Sequence, residues 1–303
     1  MAKILLVEDD NIIRYTFTGF LEDKGHFVVA VEDGRYALEA LKEESNFDLI
    51  LAEIELPRMP GHVLLRQVGE NYPHIKQMLL TEHGIENFIS IASQFGFSNI
   101  ITKTIPMNFD DILTYMEGLL DGKCFGVRGY MNEEHEYFEL DVLNSDDIVV
   151  HIHNILEKFE IEDEEGKLEE AFVKVLTNAV HYGILGADGA QKKDWEQGVA
   201  VPPGQVIVEC GKDEEKLAVA IFDSAGRLEK KHILRGLSRQ IRKDKAGAPI
   251  DVSNTSGKGM FISRKNMDRV IVNIEKNKRT EVICIKYLNQ IPIGPKPLLI
   301  NEI

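Results

Sequence analysis

At 303 residues the chain is long enough for two domains, and a composition of 44% hydrophobic and 28% charged residues is that of an ordinary globular protein. Its 35 Lys and Arg face 50 Asp and Glu, a formal charge of −15; this argues against a nucleic-acid partner, because neutralising phosphates needs the opposite sign. No charge-free run approaches the ~18 apolar residues of a membrane span.

Met1-Ala2-Lys3 passes directly into Ile4-Leu5-Leu6-Val7, which reads as a strand and not as a signal peptide, so a cytoplasmic protein with no membrane partner is expected. The three cysteines (Cys124, Cys210, Cys284) are widely spaced, with no paired metal-ligand spacing, and reduced thiols follow. Residues 1–120 hold 9 basic and 19 acidic side chains, and the basic residues gather mostly beyond residue 227.

From residue 4 the chain alternates short apolar runs with amphipathic stretches. Strands are predicted over residues 4–7, 27–31, 49–52, 77–80 and 98–102, and helices over about 11–24, 34–44, 61–70, 86–95 and 109–120. Five strands alternating with five helices give a doubly wound, five-stranded parallel sheet by the right-handed crossover rule. The ends of the first, third, fourth and fifth strands converge on one edge, where such a sheet puts its site. Glu8 and Asp9, Glu53, Thr81 and Lys103 fall there. Glu8, Asp9 and Glu53 offer the carboxylate oxygens that Mg²⁺ prefers, and Lys103 is placed to pair with that cluster or with an acyl phosphate.

The stretch Asp48-Leu49-Ile50-Leu51-Ala52-Glu53-Ile54-Glu55-Leu56-Pro57-Arg58-Met59-Pro60-Gly61 carries the strongest resemblance in the chain. It resembles the phosphoacceptor segment of the bacterial receiver domain, which has a flavodoxin-like fold. The resemblance implies that the acidic pair binds metal, that Thr81 and Lys103 contact phosphoryl oxygens as switch residues, and that residue 53 is the acceptor. Here that position holds glutamate where the family has aspartate. One extra methylene moves the carboxylate from the place where metal, Thr and Lys hold an in-line phosphoryl group, and positioning is most of what such a site provides. Thr104 replaces the usual proline after the lysine, and Ile100 stands where a switch aromatic is usual. A receiver outside the phosphorelay is expected, with Glu53 either imitating the phosphorylated state or forming a salt bridge to Lys103 that locks the inactive one. The missing aromatic favours the second.

The first domain is thus placed at residues 1–121, a glycine-bearing linker at 122–134, and a second domain at 135–303. In the latter a strand is predicted over residues 137–142, then a helix capped by Asn144 or Ser145 and running to about Phe159, then a helix over about 162–183. Within this last helix Asn178 is a poor helix former that asks for a reason. Further on, an apolar strand ends in Asp223-Ser224-Ala225-Gly226, and Ser256-Gly257-Lys258-Gly259 opens a helix.

In this order the three segments resemble the ATP-binding domain shared by histidine kinases, gyrase, Hsp90 and the anti-sigma-factor serine kinases, an α+β two-layer sandwich. The short helices before Asn178, without a phosphoacceptor-histidine hairpin, favour the anti-sigma-kinase branch. The resemblance implies ATP and Mg²⁺ as ligands. Asn178 would hold Mg²⁺, Asp223 would accept from the adenine amine, Gly226 would admit the base, and Gly257 and Gly259 would let backbone N–H groups reach phosphates. Residues 227–255, with Arg235, Arg239, Arg242, Lys243 and Lys245, would form a lid.

The general-base position, one helical turn before Asn178, holds Lys174, which cannot accept a hydroxyl proton when protonated; general bases contribute ~10²–10⁴-fold in rate. Glu170, a further turn back, is the candidate substitute. The expected protein is a two-domain regulator acting on an anti-sigma antagonist or a sigma factor, as a monomer or a homodimer. An active serine/threonine kinase controlled by the receiver is the competing reading, and a pseudoenzyme that binds no nucleotide is the third.

Overall fold

The computed structural model describes residues 1–163, 165–186, 198–241, 258–289 and 293–303. The chain divides into two compact units: Met1–Ile91, Phe97–Cys124 and Pro292–Leu298 form one, and Ala92–Gly96, Phe125–Ile291 and Leu299–Ile303 form the other. The first unit therefore runs slightly past residue 121 and takes in a segment from near the C-terminus. Among the described residues no helix is long and apolar enough to cross a membrane.

In the first unit the strands are β1 (Lys3–Val7), β2 (Phe27–Val31), β3 (Leu49–Glu53), β4 (Lys76–Thr81) and β5 (Asn99–Thr102), with α1 (Asn11–Asp23), α2 (Gly34–Glu43), α3 (Gly61–Asn71), the start of α4 (Ile89–Phe95) and α5 (Phe109–Asp121). The strands are parallel in the order β2-β1-β3-β4-β5. Ile4 to Val7 and Leu49 to Ala52 are buried throughout, as continuous apolar runs between two helix layers should be. Short polar side chains cap the starts of α1 and α2. Ile12 and Ile13 N–H donate to Asp10 Oδ1 at 2.7 and 2.9 Å, and Arg35 and Tyr36 N–H donate to Asp33 Oδ1 at 2.7 and 3.1 Å.

The second unit is built on β6 (Glu136–Asp141), β7 (Val206–Lys212), β8 (Lys216–Asp223), β9 (Arg269–Glu275), β10 (Arg279–Tyr287) and β11 (Leu298–Glu302), ordered β6-β7-β8-β10-β9-β11. All neighbours are antiparallel except β9 and β11. The helices are α6 (Ile148–Lys158), α7 (Lys167–Thr177), α8 (Lys230–Ile241) and α9 (Lys258–Asn266). They meet the sheet face that carries Phe138 and Asp223: Phe159, at the end of α6, packs on Phe138 with ring centroids 5.5 Å apart, and Gly183 lies over Asp223.

Two elements differ from expectation. The long helix predicted to run through Asn178 changes pitch there, α7 giving way to a π-helical segment, Asn178–Ile184. A poor helix former at the junction is consistent with that widening, and such segments gather at functional sites. The residues predicted as a linker are ordered against the second sheet, with a short 3₁₀ turn at Arg128–Tyr130 and Tyr130 buried.

Candidate functional site

The first cluster stands at the C-terminal ends of β1, β3 and β5. Glu53 is the last residue of β3, and the turn beyond it is held tightly. Gly61 N–H donates to Ile54 O at 2.9 Å, and a Cβ at Gly61 would come within 2.0 Å of Glu53 O, so only glycine fits there. Arg58, at φ +64, reaches back to Asp33, fixing the loop to the start of α2.

Lys103 is the centre of this site. Its Nζ lies 2.8 Å from Glu8 Oε2 and 2.7 Å from Glu53 Oε2, and all three side chains are at least nine-tenths buried. The other Glu53 oxygen accepts from Glu55 N–H at 3.2 Å, and Glu8 Oε1 accepts from Asp10 N–H at 3.3 Å. Burial raises the pKa of both glutamates, with the Lys103 ammonium acting against it. For Lys103 burial works against the charge, but Glu53 and Glu8 outweigh it and the net shift is upward. The lysine is therefore a firmly held cation at neutral pH.

Thr81 is buried beside them, and its Oγ1 accepts from His83 N–H at 3.0 Å. The expected metal cluster of Glu8, Asp9 and Glu53 does not assemble. Asp9 is exposed, its neighbour Asp10 is used as a helix cap, and the two glutamates turn to the lysine. Among the described residues no group of three or more His, Cys, Asp or Glu side chains is placed to hold a metal ion.

The site has a neighbour that sequence reasoning missed. Within the first unit, Ile105 N–H donates to Ile293 O at 2.9 Å, and Thr102 Oγ1 donates to Pro295 O. The Gly294, Pro295 and Pro297 cluster marks a loop in the sequence, but no local pattern says where that loop docks.

In the second unit the residues singled out fall into two groups. Asn178, at the α7 junction, faces the start of α9, where a Cβ at Gly259 would come within 2.9 Å of Asn178 Nδ2. Asp223, at the end of β8, is buried. Its Oδ1 accepts from Ala225 and Gly226 N–H at 3.0 and 3.1 Å, and burial raises its pKa, with those two N–H groups acting against it.

Gly226 has a packing reason of its own. At φ +59, a Cβ there would meet Glu275 O at 2.5 Å and Lys278 N at 2.6 Å, so the glycine makes room for the β9–β10 turn. Lys174 is exposed on α7. Glu170 Oε2 accepts from Asn266 Nδ2 at 2.9 Å, which ties α7 to α9 and gives this carboxylate a packing role. Gly257, Arg242, Lys243 and Lys245 lie outside the described residues, and the described part of the expected lid is α8 with Arg235 and Arg239.

A buried carboxyl whose folded pKa exceeds its ordinary value binds more protons folded than unfolded, so its contribution to stability falls as pH rises through that window. Lys103 offsets this cost for two such groups. We expect Lys103→Met to destabilise the first unit by about 3 kcal/mol at neutral pH, the cost of leaving buried charge unpaired. The loss should be much smaller near about pH 4, where Glu8 and Glu53 are neutral. Urea denaturation at the two pH values checks this, and an equal loss at both would contradict it.

Residues 4–117 match the family model described as "Response regulator receiver domain". The response regulator receiver protein CpdR of Brucella abortus is 41% identical over 120 residues, covering 40% of this chain and 98% of CpdR. The response regulator protein FleR of Pseudomonas aeruginosa is 35% identical over 102 residues, 34% of this chain but only 21% of FleR. The two-component response regulator-like protein APRR9 of Arabidopsis thaliana is 47% identical over 72 residues, 23% of this chain and 15% of that protein. With a parallel sheet ordered β2-β1-β3-β4-β5, and with Glu8, Glu53, Thr81 and Lys103 gathered at its C-terminal edge, the chain belongs, through its first unit, to the response regulator receiver family.

Proposed function

We propose that this protein is a signalling regulator whose receiver is held in one state by its own lysine and whose second unit is an ATP/Mg²⁺-binding, anti-sigma-kinase-like module. The observation that carries the reading is Lys103 bridging Glu8 and Glu53. Its single positive charge is already matched by buried carboxylates, which leaves it poorly available to an incoming phosphoryl group. A glutamate at the acceptor position supplies one negative charge and two oxygens against the ~1.5–2 charges and three oxygens of a phosphoryl group. Its salt bridge to Lys103 ties it into the inactive arrangement.

The nucleotide reading rests on the second unit's residues. Asn178 would help to hold Mg²⁺ on the phosphates, and the start of α9 at Gly259 would face those phosphates. Asp223, fixed by two backbone N–H groups, would accept a hydrogen bond from the adenine amine. The cradle suits such a ligand: Gly259 opposite Asn178 and Gly183 over Asp223 both leave out side chains that would crowd these groups. Lys174 at the general-base position makes phosphotransfer weak or absent. The module then acts by protein contact, on a partner such as an anti-sigma antagonist or a sigma factor.

Titration calorimetry of the whole protein with ATP and Mg²⁺ tests the nucleotide reading. We expect binding by the native chain and an affinity lower by at least about tenfold in Asp223→Asn, which cannot present the same acceptor to the amine. No heat from the native chain would overturn ATP binding, and equal affinity in both would overturn the role of Asp223.

Phosphotransfer from labelled ATP to an anti-sigma-antagonist protein should be barely detectable in the native chain and should rise in Lys174→Glu by about 10²-fold, the lower range of a restored general base. Fast transfer by the native chain would make it an active kinase.

A further inference from the structure

The sheet face of the second unit that looks away from Phe138 and Asp223 carries an unusual polar row. Asn301, Asn273 and Glu281 are register partners on β11, β9 and β10. All three are buried, and they are joined by hydrogen bonds from Asn301 Nδ2 to Asn273 Oδ1 (2.8 Å) and from Asn273 Nδ2 to Glu281 Oε2 (3.0 Å). Across this face runs the connector. Gly126 N–H donates to both Glu281 oxygens, at 2.9 and 3.1 Å, and Val127 N–H donates to Glu209 Oε2 of β7 at 3.3 Å.

Further contacts fasten both ends. The Arg279 guanidinium of β10 sits 3.7 Å from the Phe125 ring centroid, and Arg128 sits 4.2 Å from that of Tyr137 on β6. Val127 and Met131 lie over Gly211 of β7, and Asn132 N–H donates to Asp213 Oδ2 at 2.9 Å. A stretch whose glycines predict a loose linker is instead a strap, fastened near its start by a buried carboxylate.

We propose that residues 125–132 form a strap latched to the sheet through Glu281, and that the latch loosens when this carboxyl becomes charged. The groups facing it set the direction. Burial pushes the Glu281 carboxyl up to about 7, the Asn273 and Gly126 donors act against that rise, the Glu209 charge adds to it, and Arg279 opposes it. When the strap lifts, water reaches Glu281 and its pKa falls back towards the ordinary value of 4.5. The latched state has the higher pKa and so binds more protons. Protonation therefore favours latching, and the balance shifts towards release as pH rises from the ordinary glutamate value to about 7.

Hydrogen exchange on the full chain, with rates corrected for the intrinsic pH dependence of amides, reads this directly. We expect protection of the Gly126 and Val127 amides to fall about tenfold between about pH 6 and pH 8, while that of Ala220 within β8 stays constant. Glu281→Gln, which mimics the neutral acid, should keep the strap protected at both pH values. Glu209→Gln, which removes the like charge, should move the midpoint to lower pH and provides a second route should Glu281→Gln fail to fold. Constant strap protection in the native chain, an unchanged fall in Glu281→Gln, or an unmoved midpoint in Glu209→Gln would each overturn the proposal.

Discussion

The first unit depends on one ammonium group placed between two buried carboxylates. At 2.7 and 2.8 Å from Glu53 and Glu8, Lys103 brings a positive charge to this pair, and the registers of β1, β3, β4 and β5 must hold for it to do so. Burying two glutamates without it would be costly, because the desolvation of each ion amounts to several kcal/mol even after relaxation. The extra methylene of Glu53 belongs to the same arrangement. It lets one carboxylate oxygen reach the lysine while the other stays on Glu55 N–H. The receiver is thereby completed by its own side chains.

Most of the first unit was legible in the sequence because its signals are local. Uninterrupted apolar runs such as Leu49 to Ala52 mark strands covered on both faces, and the order of Glu8, Glu53, Thr81 and Lys103 along the chain fixes their meeting at one sheet edge. The roles of Asp9 and Asp10 were not separable in this way. Adjacent acids at a strand end look alike, and only the entry angle of α1 decides that Asp10 caps the helix while Asp9 faces water. The return of Ile293 and Pro295 to the end of β5 is a contact between residues nearly two hundred positions apart, for which no periodicity exists.

In the second unit the sequence marks single positions, and the structure shows what surrounds each of them. Asn178 is a poor helix former by its side chain, and it stands where the helix widens into a π segment. At Gly226 the close approach of the turn between β9 and β10 leaves no room for a Cβ, a packing reason that the local sequence does not show. Glu281 and Glu209 carry no local signal in the sequence, since single acids in strands usually face water. The burial of Glu281, and the contact of Glu209 with the connector, are visible only once the connector is seen lying over them. Both units thus keep buried carboxylates, the pair of the first compensated by a lysine and Glu281 of the second by the Gly126 N–H and an asparagine.

The central claim is that the lysine bridge takes this receiver out of the phosphorelay, and a phosphodonor tests it most directly. After incubation with acetyl phosphate and Mg²⁺, intact mass spectrometry of the native chain should show no acid-labile phosphoryl adduct, whereas Glu53→Asp, shorter by one methylene, should acquire one. An adduct on the native protein that maps to Glu53, Asp9 or Asp10 would contradict the account.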